Sequence, residues 1–569
     1  MRSSLIQALQ TAVAHPEPYD LAVVGGGATG LGVALDAALR GYSVVLFDSH
    51  DFASGTSSRS TKLLHGGVRY LAQGNVSLVR EALAERATVL KLAPHLAQPL
   101  PFVMPSYRWW QTPFYGVGLK LYDLLAGRAG LHHTEWLGRD ATLAALPGVN
   151  AQGLQGGVKY WDGQFDDARL ALALARSVEA AGGLPLNYMS VEALQPLAQG
   201  EQADGARFVL TVRDKLAPTE PGSTVPPTAA TLQVRARAVV NATGVWVDKL
   251  RNQASQTAHG QQHAPATSHA SMVTPSQGVH VVVDRSFLPG NHALLVPKTQ
   301  DGRVLFAVPW LGSLILGTTD TPRPDAPREP EPFEAELDFI LQEASRVLSR
   351  PVQRTDIRSM WVGLRPLVSA PSAPAGEAGE AGQAGQAGHT RGLSREHTIV
   401  TDPNGLLTVT GGKWTTYRAM AEDVLRTCFA AGLLPERGTG TTECHQLVGA
   451  PVSGPGAGTR SGSQGAQPGL HAAPGLHLYG SEQDAVLALP GAQSGIGLGL
   501  TEAMVRFAVR REYACTVEDV LARRWRALFL DARQALAMAP TVAALLAEEH
   551  GQDPQLGAFE QMAQRYLPA

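Results

Sequence analysis

The chain of 569 residues is too long for one hydrophobic core, so two or three domains are expected. Its 47 basic and 50 acidic side chains nearly cancel, and a net charge of −3 argues against a nucleic-acid partner. The longest apolar run, residues 21–35, is too short to span a bilayer, and the first residues lack an apolar signal core. A cytoplasmic protein is therefore expected, unless it binds a membrane surface. The three cysteines are far apart, so neither a metal site nor a disulfide is predicted.

The first clear structural signal is the segment YDLAVVGGGATGLGVALDAALRGYSVVLFD. Its apolar pattern predicts a strand over residues 21–24, a helix over 29–39 and a second strand over 43–47. These elements form a βαβ unit.

Glycines at the turn between the first strand and the helix have the GxGxxG spacing. Gly25, Gly27 and Gly30 allow backbone N–H groups and the helix dipole to meet a pyrophosphate. Asp48 follows at the end of the next strand, where a carboxylate binds a ribose hydroxyl. The pattern predicts a bound dinucleotide and does not by itself distinguish NAD from FAD.

Later segments indicate how the rest of the chain is organised. Residues 236–248 and 406–425 are further strand-to-turn junctions, so we expect one sheet assembled from distant segments. Residues 278–320 alternate apolar stretches with turns and predict an antiparallel sheet in an inserted second domain. The apolar spacing of residues 502–540, with Thr516 and Asp519 spaced as in a capping box, indicates a helical C-terminal domain.

Two adjacent aspartates, Asp166 and Asp167, begin the helical segment DDARLALALARSVEAAGG. A carboxylate pair can serve as catalytic acid and base. Because the segment also ends in Gly-Gly, as helices often do, a helix N-cap is the favoured interpretation.

Residues 56–70, TSSRSTKLLHGGVRY, are too polar for a core and too irregular for a helix. Short hydroxyls can donate to a diphosphate, and the Gly66-Gly67 pair lets the chain pass close to a flat ring. Such a loop favours FAD, which must be held along its length, over a nicotinamide cofactor. The stretch FASGTSSRSTKLLHGGVRYL resembles the signature of FAD-dependent glycerol-3-phosphate dehydrogenases, the quinone-linked aerobic enzymes and their oxidase relatives.

The resemblance covers nearly the whole chain. Further segments are similar to the family's blocks in the same order: VVNATGVWVD, SQGVHVVVD, FAVPWLGSLILGTTDT, WVGLRPL, LSREHTIV, TVTGGKWTTYRAMAEDVL and YACTVEDVLARRWRALFLDA. The chain departs from the family between these blocks, at residues 218–228 and 252–271 and at the low-complexity stretches 369–392 and 450–475. The low-complexity stretches have few apolar residues to bury and are expected to be mobile.

The fold class that this implies is α/β, with a Rossmann-like FAD-binding domain, an inserted antiparallel-sheet substrate domain and a helical C-terminal domain. The expected boundaries are an N-terminal extension at 1–18, an FAD-binding domain at 19–95, 150–250 and 400–428, a substrate domain at 96–149 and 251–399, a linker at 429–475 and the C-terminal domain at 476–569.

The resemblance implies oxidation of sn-glycerol 3-phosphate to dihydroxyacetone phosphate by hydride transfer from C2 to non-covalent FAD. Electrons would then pass to a quinone, with the protein held peripherally at the inner face of the cell membrane; a homodimer is left open. One alternative is an oxidase that uses oxygen. Others are an amine or amino-acid oxidase of the same fold, which needs no cluster of cations, and a flavin-containing scaffold without turnover.

The resemblance also implies site residues. The expected FAD-binding residues are Gly25, Gly27, Gly30, Asp48, Thr56, Ser57, Ser58, Lys62, Leu63, His65, Ala242, Thr243, Gly244, Gly411, Gly412, Lys413 and Thr415. The expected substrate-binding residues are Arg69, Tyr70, Arg365, Arg395 and Lys413. The expected catalytic residues are His280, Arg365, Lys413 and His65. His280 is the favoured base, because histidine titrates near neutral pH. Stabilisation of an alkoxide by Lys413 or Arg365, with the proton leaving through water, stays open.

Two segments are candidates for contact with a membrane. Residues 109–127, WWQTPFYGVGLKLYDLLAG, and the RRWR cluster at 523–526 are amphipathic enough to touch an interface. Each is also compatible with packed core or a solvated helix.

Overall fold

The computed structural model describes residues 1–15, 17–67, 75–202, 204–217, 231–258, 270–369, 396–451 and 468–568. The strands are β1 (Tyr19–Val24), β2 (Val44–Phe47), β3 (Leu63–Leu64), β4 (Ala97–Ser106), β5 (Glu135–Gly138), β6 (Gly156–Phe165), β7 (Leu184–Leu186), β8 (Met189–Pro196), β9 (Phe208–Asp214), β10 (Thr231–Asn241), β11 (Val273–Asp284), β12 (Ala293–Val296), β13 (Leu305–Trp310), β14 (Ser313–Gly317), β15 (Thr321–Pro322), β16 (Ser359–Val368), β17 (His397–Thr401), β18 (Leu407–Gly411), β19 (Gly495–Gly497) and β20 (Leu500–Thr501). The α-helices are α1 (Arg2–Val13), α2 (Ala28–Leu39), α3 (Val76–Leu92), α4 (Gln111–Ala126), α5 (Arg139–Ala145), α6 (Asp167–Ala180), α7 (Val247–Ala258), α8 (Glu334–Val347), α9 (Tyr417–Ala430), α10 (Gln483–Leu487), α11 (Glu502–Arg511), α12 (Ala527–Leu530), α13 (Ala532–His550) and α14 (Leu556–Gln564).

The first sheet contains the predicted βαβ unit. Its strand order is β17-β18-β10-β1-β2-β7, with β9 paired to β10 and β8 to β9. Strands β1, β2, β7, β10 and β18 run parallel, and β1 lies between β10 and β2. Three of these strands come from chain segments far apart in sequence, which confirms the prediction of one sheet built from distant parts. Their carboxyl ends meet at one edge of the sheet.

The second sheet carries the inserted domain. Its strand order is β15-β11-β14-β13-β12-β4-β6-β3, with β16 paired to β11 and β5 to β6. The pairing is antiparallel except between β12 and β4, so the predicted antiparallel sheet over 278–320 is confirmed.

Two expected domain boundaries need correction. Strand β6 was expected in the FAD-binding domain, but it pairs with β4 over its whole length and belongs to the second sheet. The expected boundary between residues 399 and 400 divides strand β17, but the whole strand pairs with β18 in the first sheet. Apolar alternation predicts a strand without indicating which sheet it joins, because the pairing partner lies elsewhere in the sequence.

The expected N-terminal extension contains a helix that packs on the first domain. Leu5 and Leu9 of α1 are buried in the core of the first domain. The Arg2 guanidinium pairs with Asp214 at 2.5 Å and donates to the carbonyl of Asn187 at 3.2 Å. Residues 1–15 therefore belong to the first domain.

The C-terminal region is helical, as predicted. Thr516 and Asp519 form the predicted capping box: the Thr516 N–H donates to Asp519 Oδ2 at 3.0 Å, and the Asp519 N–H donates to Thr516 Oγ1 at 3.2 Å. Apolar side chains of α11–α14 share one continuous core with the second sheet. Most of the low-complexity stretches 369–392 and 450–475 lies outside the described residues, as does the segment 218–228.

The RRWR cluster is buried, which confirms the packed-core interpretation and excludes the cluster as a membrane-contact candidate. Arg523, Arg524 and Arg526 are each at most 2% exposed, and Trp525 is buried beside them. Among the described residues no helix has both the length and the apolar character needed to cross a membrane.

Candidate active site

An elongated cavity of about 600 Å³ opens where the two sheets meet. It begins at the carboxyl ends of β1, β2, β10 and β18 and continues to the faces of β11 and β16. Part of its wall comes from the two glycine turns, 25–28 and 411–415. In the described part of the chain, no group of three or more His, Cys, Asp or Glu side chains is arranged to hold a metal ion.

The first glycine turn is shaped for close approach of a ligand. Gly25 has φ +112°, and a Cβ atom there would lie 2.5 Å from the carbonyl oxygen of Ala242. Gly25 and Gly27 line the cavity. Ser57 Oγ accepts a hydrogen bond at 3.0 Å from the Ala28 N–H, at the N-terminus of α2. These groups can hold a diphosphate.

Gly30 does not line the cavity. A Cβ atom at Gly30 would overlap the carbonyl oxygen of Gly25, because α2 crosses directly over the turn. The third glycine of the motif therefore permits close packing of the helix on the strand, and its contribution to cofactor binding is indirect.

Asp48 lies at the end of β2, on the cavity wall. Its Oδ2 accepts from the Gly26 N–H at 2.7 Å, and its Oδ1 accepts from the His50 N–H at 2.9 Å. Burial outweighs these hydrogen bonds and raises the pKa of the Asp48 carboxyl to about 6. The position is compatible with the predicted ribose contact.

The polar loop after β2 runs along the cavity, as the sequence suggested. Thr56, Ser57, Leu63 and His65 line it, and the Thr56 hydroxyl donates to the carbonyl oxygen of Leu364 at 2.6 Å. The Ser58 side chain is buried behind the loop.

The expectation that Lys62 approaches the flavin is corrected by the structure. Its side chain is fully buried away from the cavity, where Nζ pairs with Asp167 at 2.8 Å and donates to the carbonyl of Ser58 at 2.7 Å. Trp310 and Trp361 pack against the ammonium group, with ring centroids 5.4 and 5.1 Å from Nζ. Burial lowers the Lys62 pKa to about 7, although Asp167 opposes the change.

The same contact explains the paired aspartates at the start of α6. Asp166 is the N-cap, because its Oδ1 accepts from the Arg169 N–H at 3.2 Å. Asp167 is the buried partner of Lys62 and also accepts from the Ser60 hydroxyl at 2.7 Å. The N-cap interpretation is confirmed for Asp166, and neither carboxylate lies on the cavity wall.

The opposite wall comes from β10 and β18. The sequence-predicted residues that line it are Ala242, Thr243, Gly244, Gly411, Gly412, Lys413 and Thr415. The indole N–H of Trp414 donates to the carbonyl oxygen of Ser57 at 2.8 Å and so joins the two walls.

His280 lies on β11, at the end of the cavity that the second sheet forms. Its Nε2 is 2.9 Å from the Thr61 hydroxyl, and its ring stacks on Trp361 with centroids 5.1 Å apart. Burial, followed by the charges of Lys62 and Arg365, holds the pKa of His280 well below its usual range. The imidazole is therefore neutral near pH 7.

Arg365 lies on β16, the neighbour of β11, and its guanidinium reaches the cavity wall. Nη1 donates to the carbonyl of Thr319 at 3.0 Å, and Nη2 donates to Thr318 Oγ1 at 3.0 Å. Asp320 Oδ1 lies 3.4 Å from Nη1. The backbone of Gly278 lies against the guanidinium, because a Cβ atom there would overlap Nη2. Arg365 is thus held in one orientation and still presents positive charge to the cavity.

Three of the predicted substrate residues, Arg69, Tyr70 and Arg395, lie outside the described residues, and their roles stay predictions. Sequence reasoning also missed cavity residues that the structure supplies: Arg59, Thr61, Trp246 and Arg328. Arg59 and Thr61 belong to the polar loop already noticed, and Trp246 belongs to the GVWVD block. Arg328 stands in a proline-rich connection and carries no local signal.

The fold and the cavity define a dinucleotide-binding oxidoreductase. The FAD dependent oxidoreductase family matches residues 20–418, and the family described as the C-terminal domain of alpha-glycerophosphate oxidase matches residues 441–556. The mitochondrial glycerol-3-phosphate dehydrogenase of Arabidopsis thaliana is 37% identical over 97% of this chain and 86% of its own length. The human mitochondrial enzyme is 36% identical over 93% of this chain and 70% of its own length. The chain therefore belongs to the FAD-dependent glycerol-3-phosphate dehydrogenases.

A solved structure agrees with this assignment. The glycerol-3-phosphate dehydrogenase of Bacillus halodurans, complexed with FAD, has a TM-score of 0.68 and 28% identity, covering 97% of this chain and 96% of its own. FAD is the cofactor of this chain. The turn at 25–28, Asp48 and the loop at 56–65 fit the group, since they offer backbone donors, a carboxylate and hydroxyls along one cavity.

Proposed function

We propose that the chain oxidises sn-glycerol 3-phosphate at C2 to dihydroxyacetone phosphate and passes the electrons to a membrane quinone. The substrate assignment rests on one observation: His280 and Arg365 lie on adjacent strands and line the same cavity. A phosphate requires a cation and an alcohol requires a proton acceptor, and the two residues supply these groups. The names of the relatives support the same substrate.

Bound FAD supplies the hydride acceptor, and the residues of the chain supply placement and proton transfer. Arg365 holds the substrate phosphate through charge-assisted hydrogen bonds, which fixes the C2 hydroxyl within the cavity. The neutral His280 accepts the hydroxyl proton, and Thr61, at 2.9 Å from Nε2, orients its ring. Lys413 and His65 line the same cavity and add a cation and a second imidazole.

Anaerobic addition of glycerol 3-phosphate to the purified holoenzyme tests this proposal. The absorbance of oxidised flavin should disappear within the time of one catalytic turnover. Persistent yellow colour would support a flavin-containing scaffold. Subsequent addition of a soluble quinone or of oxygen then distinguishes a dehydrogenase from an oxidase by the rate at which the colour returns and by peroxide formation.

Replacing Arg365 by methionine should lower kcat/KM for glycerol 3-phosphate by about one to two orders of magnitude. Each lost charge-assisted hydrogen bond in a partly desolvated site contributes roughly 1.5–3 kcal/mol. Steady-state kinetics with glycerol 3-phosphate and with glycerol measure the effect, because glycerol lacks the phosphate and its oxidation should be almost unchanged. Arg365→Lys should recover only part of the loss, since an ammonium cannot reproduce the fork of the guanidinium.

Arg354→Met, on the surface of the same domain, is the matched control for that substitution. It should leave both reactions at the wild-type rate. Equal losses for glycerol and glycerol 3-phosphate in Arg365→Met would reassign Arg365 to the reacting alcohol and the phosphate contact to Lys413, Arg69 and Arg395.

An exposed apolar surface supports the membrane part of the proposal. Its members, which we call the aromatic face, are Trp109, Phe114, Val117, Leu121, Leu124 and Trp136. Phe114, Val117, Leu121 and Leu124 follow one another on one side of α4, and Leu124 is 75% exposed. Exposed Arg108, Lys120 and Arg128 flank them. Such a helix favours the surface of an anionic bilayer, which for this chain is the inner face of the cell membrane.

Replacing Phe114 and Leu124 together by aspartate should weaken binding to vesicles of anionic phospholipid by about two orders of magnitude. Burial of each side chain in the interface contributes roughly 1.5–3 kcal/mol, which the carboxylates abolish. Vesicle cosedimentation measures the binding, and reduction of flavin by substrate should be unchanged. Leu487→Asp, at an exposed leucine of the C-terminal domain, is the control and should bind as wild type does. Undiminished binding of the double variant would exclude the aromatic face. A homodimer stays a prediction.

A further inference from the structure

The connection between β15 and α8 contributes Arg328 to the lining of the cavity. Its residues 323–332, RPDAPREPEP, are called the strap below. The indole N–H of Trp246, in the first domain, donates to the carbonyl oxygen of Ala326 at 3.0 Å. Arg59, on the polar loop, pairs with Glu329 at 2.5 Å. Trp246 and Arg59 also line the cavity, so the strap is bonded directly to two residues of the cavity wall.

The C-terminal domain holds the strap from its other side. Tyr566 donates from its hydroxyl to Glu329 Oε2 at 3.3 Å, and the Arg565 side chain is 3.5 Å from Glu331. Arg328 lies 3.6 Å from Glu518. The strap belongs to the second domain and is bound by the first and by the C-terminal domain, so its position depends on all three.

Arg328 is the strap residue that faces the cavity. Its charge acts on Asp48 and on His50, the two residues at the end of β2. Burial, followed by the charges of Arg328 and Lys215, lowers the pKa of His50 to about 3, so His50 is neutral near pH 7. Arg328, Asp48 and His50 line the same cavity, and Asp48 is the carboxylate that is placed for a ribose. The Arg328 side chain is 42% exposed, which leaves it able to bind a ligand in addition to Glu518.

We propose that Arg328 is a binding residue for the ADP half of FAD and that the strap retains the cofactor in its cavity. A guanidinium provides both charge-assisted donors for a phosphate and a planar face for a purine. The glycine turn and Asp48 hold the dinucleotide from the first domain, and Arg328 reaches it from the second. The inference concerns cofactor retention and is independent of the substrate proposed above.

Titration of FAD into the apoprotein, followed by quenching of flavin fluorescence, tests the proposal. Arg328→Met should raise the Kd for FAD about tenfold, as expected for the loss of one charge-assisted contact. ADP competes for the same half of the cavity, and its inhibition constant should rise by the same factor. Arg328→Lys should recover part of the affinity.

The surface variant Arg354→Met serves again as the matched control and should bind FAD as the wild type does. An unchanged Kd for FAD in Arg328→Met would overturn the proposal. So would a higher Kd for FAD combined with an unchanged inhibition constant for ADP, because Arg328 would then act on the flavin half. Failure of substrate turnover with normal FAD and ADP binding would contradict the proposed function alone.

Discussion

Substitution of Gly30 by valine is expected to give protein without bound flavin. The added Cβ and its methyl groups would overlap the carbonyl oxygen of Gly25, and that atom belongs to the turn that receives the diphosphate. Because α2 cannot move away without leaving β1, the turn must deform, and the N–H groups that line it lose their alignment. The absorbance ratio of flavin to protein after purification measures the loss.

A second glycine provides the comparison for Gly30→Val. Gly557 lies in α14 with open space around it, so Gly557→Ala should leave flavin content and stability unchanged. Gly27→Val should be milder than Gly30→Val for folding, because the nearest atom to a Cβ at Gly27 is Ser57 Oγ at 3.1 Å. It should still remove flavin, since the side chain would enter the cavity. Full flavin occupancy in Gly30→Val would show that the turn tolerates the shift.

The first domain is the part of the fold that the sequence predicts best. The glycine turn, α2, β2 and Asp48 are local in sequence, and their order follows from residue spacing alone. The N-cap at Asp166 and the capping box of Thr516 with Asp519 are local for the same reason. The strand-to-turn pattern also predicts the distant junctions at 236–248 and 406–425. Resemblance to a family added the assignment of their residues, such as Gly411 and Gly412, to the cofactor.

The sequence does not reveal which charged side chains are buried. Lys62 stands among hydroxyls and other cations, so its neighbours in sequence suggest a solvated or cofactor-binding loop. Its actual neighbours, Asp167, Trp310 and Trp361, come from three distant segments. The RRWR cluster is ambiguous for the same reason, because a run of arginines on the protein surface and one inside an ion-pair network look alike in sequence. Arg328 gives no signal, since its position over the cavity depends on how the strap is anchored.

A buried network of ion pairs around the RRWR cluster stabilises the interface between the C-terminal domain and the first domain. Asp51, in the segment after β2, accepts from Arg523 and from Arg524, whose Nη2 is 3.0 Å from Oδ1. Asn187 donates to the same oxygen at 3.0 Å. Burial by itself raises the pKa of the Asp51 carboxyl, but Arg524 and Arg523 outweigh it and lower the pKa to about 2. The carboxylate therefore stabilises the fold above its unfolded pKa of roughly 3.9, and this contribution disappears as the pH falls towards 2.

Asp51→Asn should consequently destabilise the protein by about 3–5 kcal/mol at neutral pH, because it leaves two buried guanidiniums without their shared carboxylate. Thermal unfolding, followed by tryptophan fluorescence with and without added FAD, should show a midpoint lower by at least about 5 °C. Asp140→Asn is the matched control, since the Asp140 side chain is 98% exposed and its pair with Arg139 contributes little. An unchanged midpoint for Asp51→Asn would mean that Asp519 and Glu518, which also pair with Arg523, are sufficient to hold the arginines.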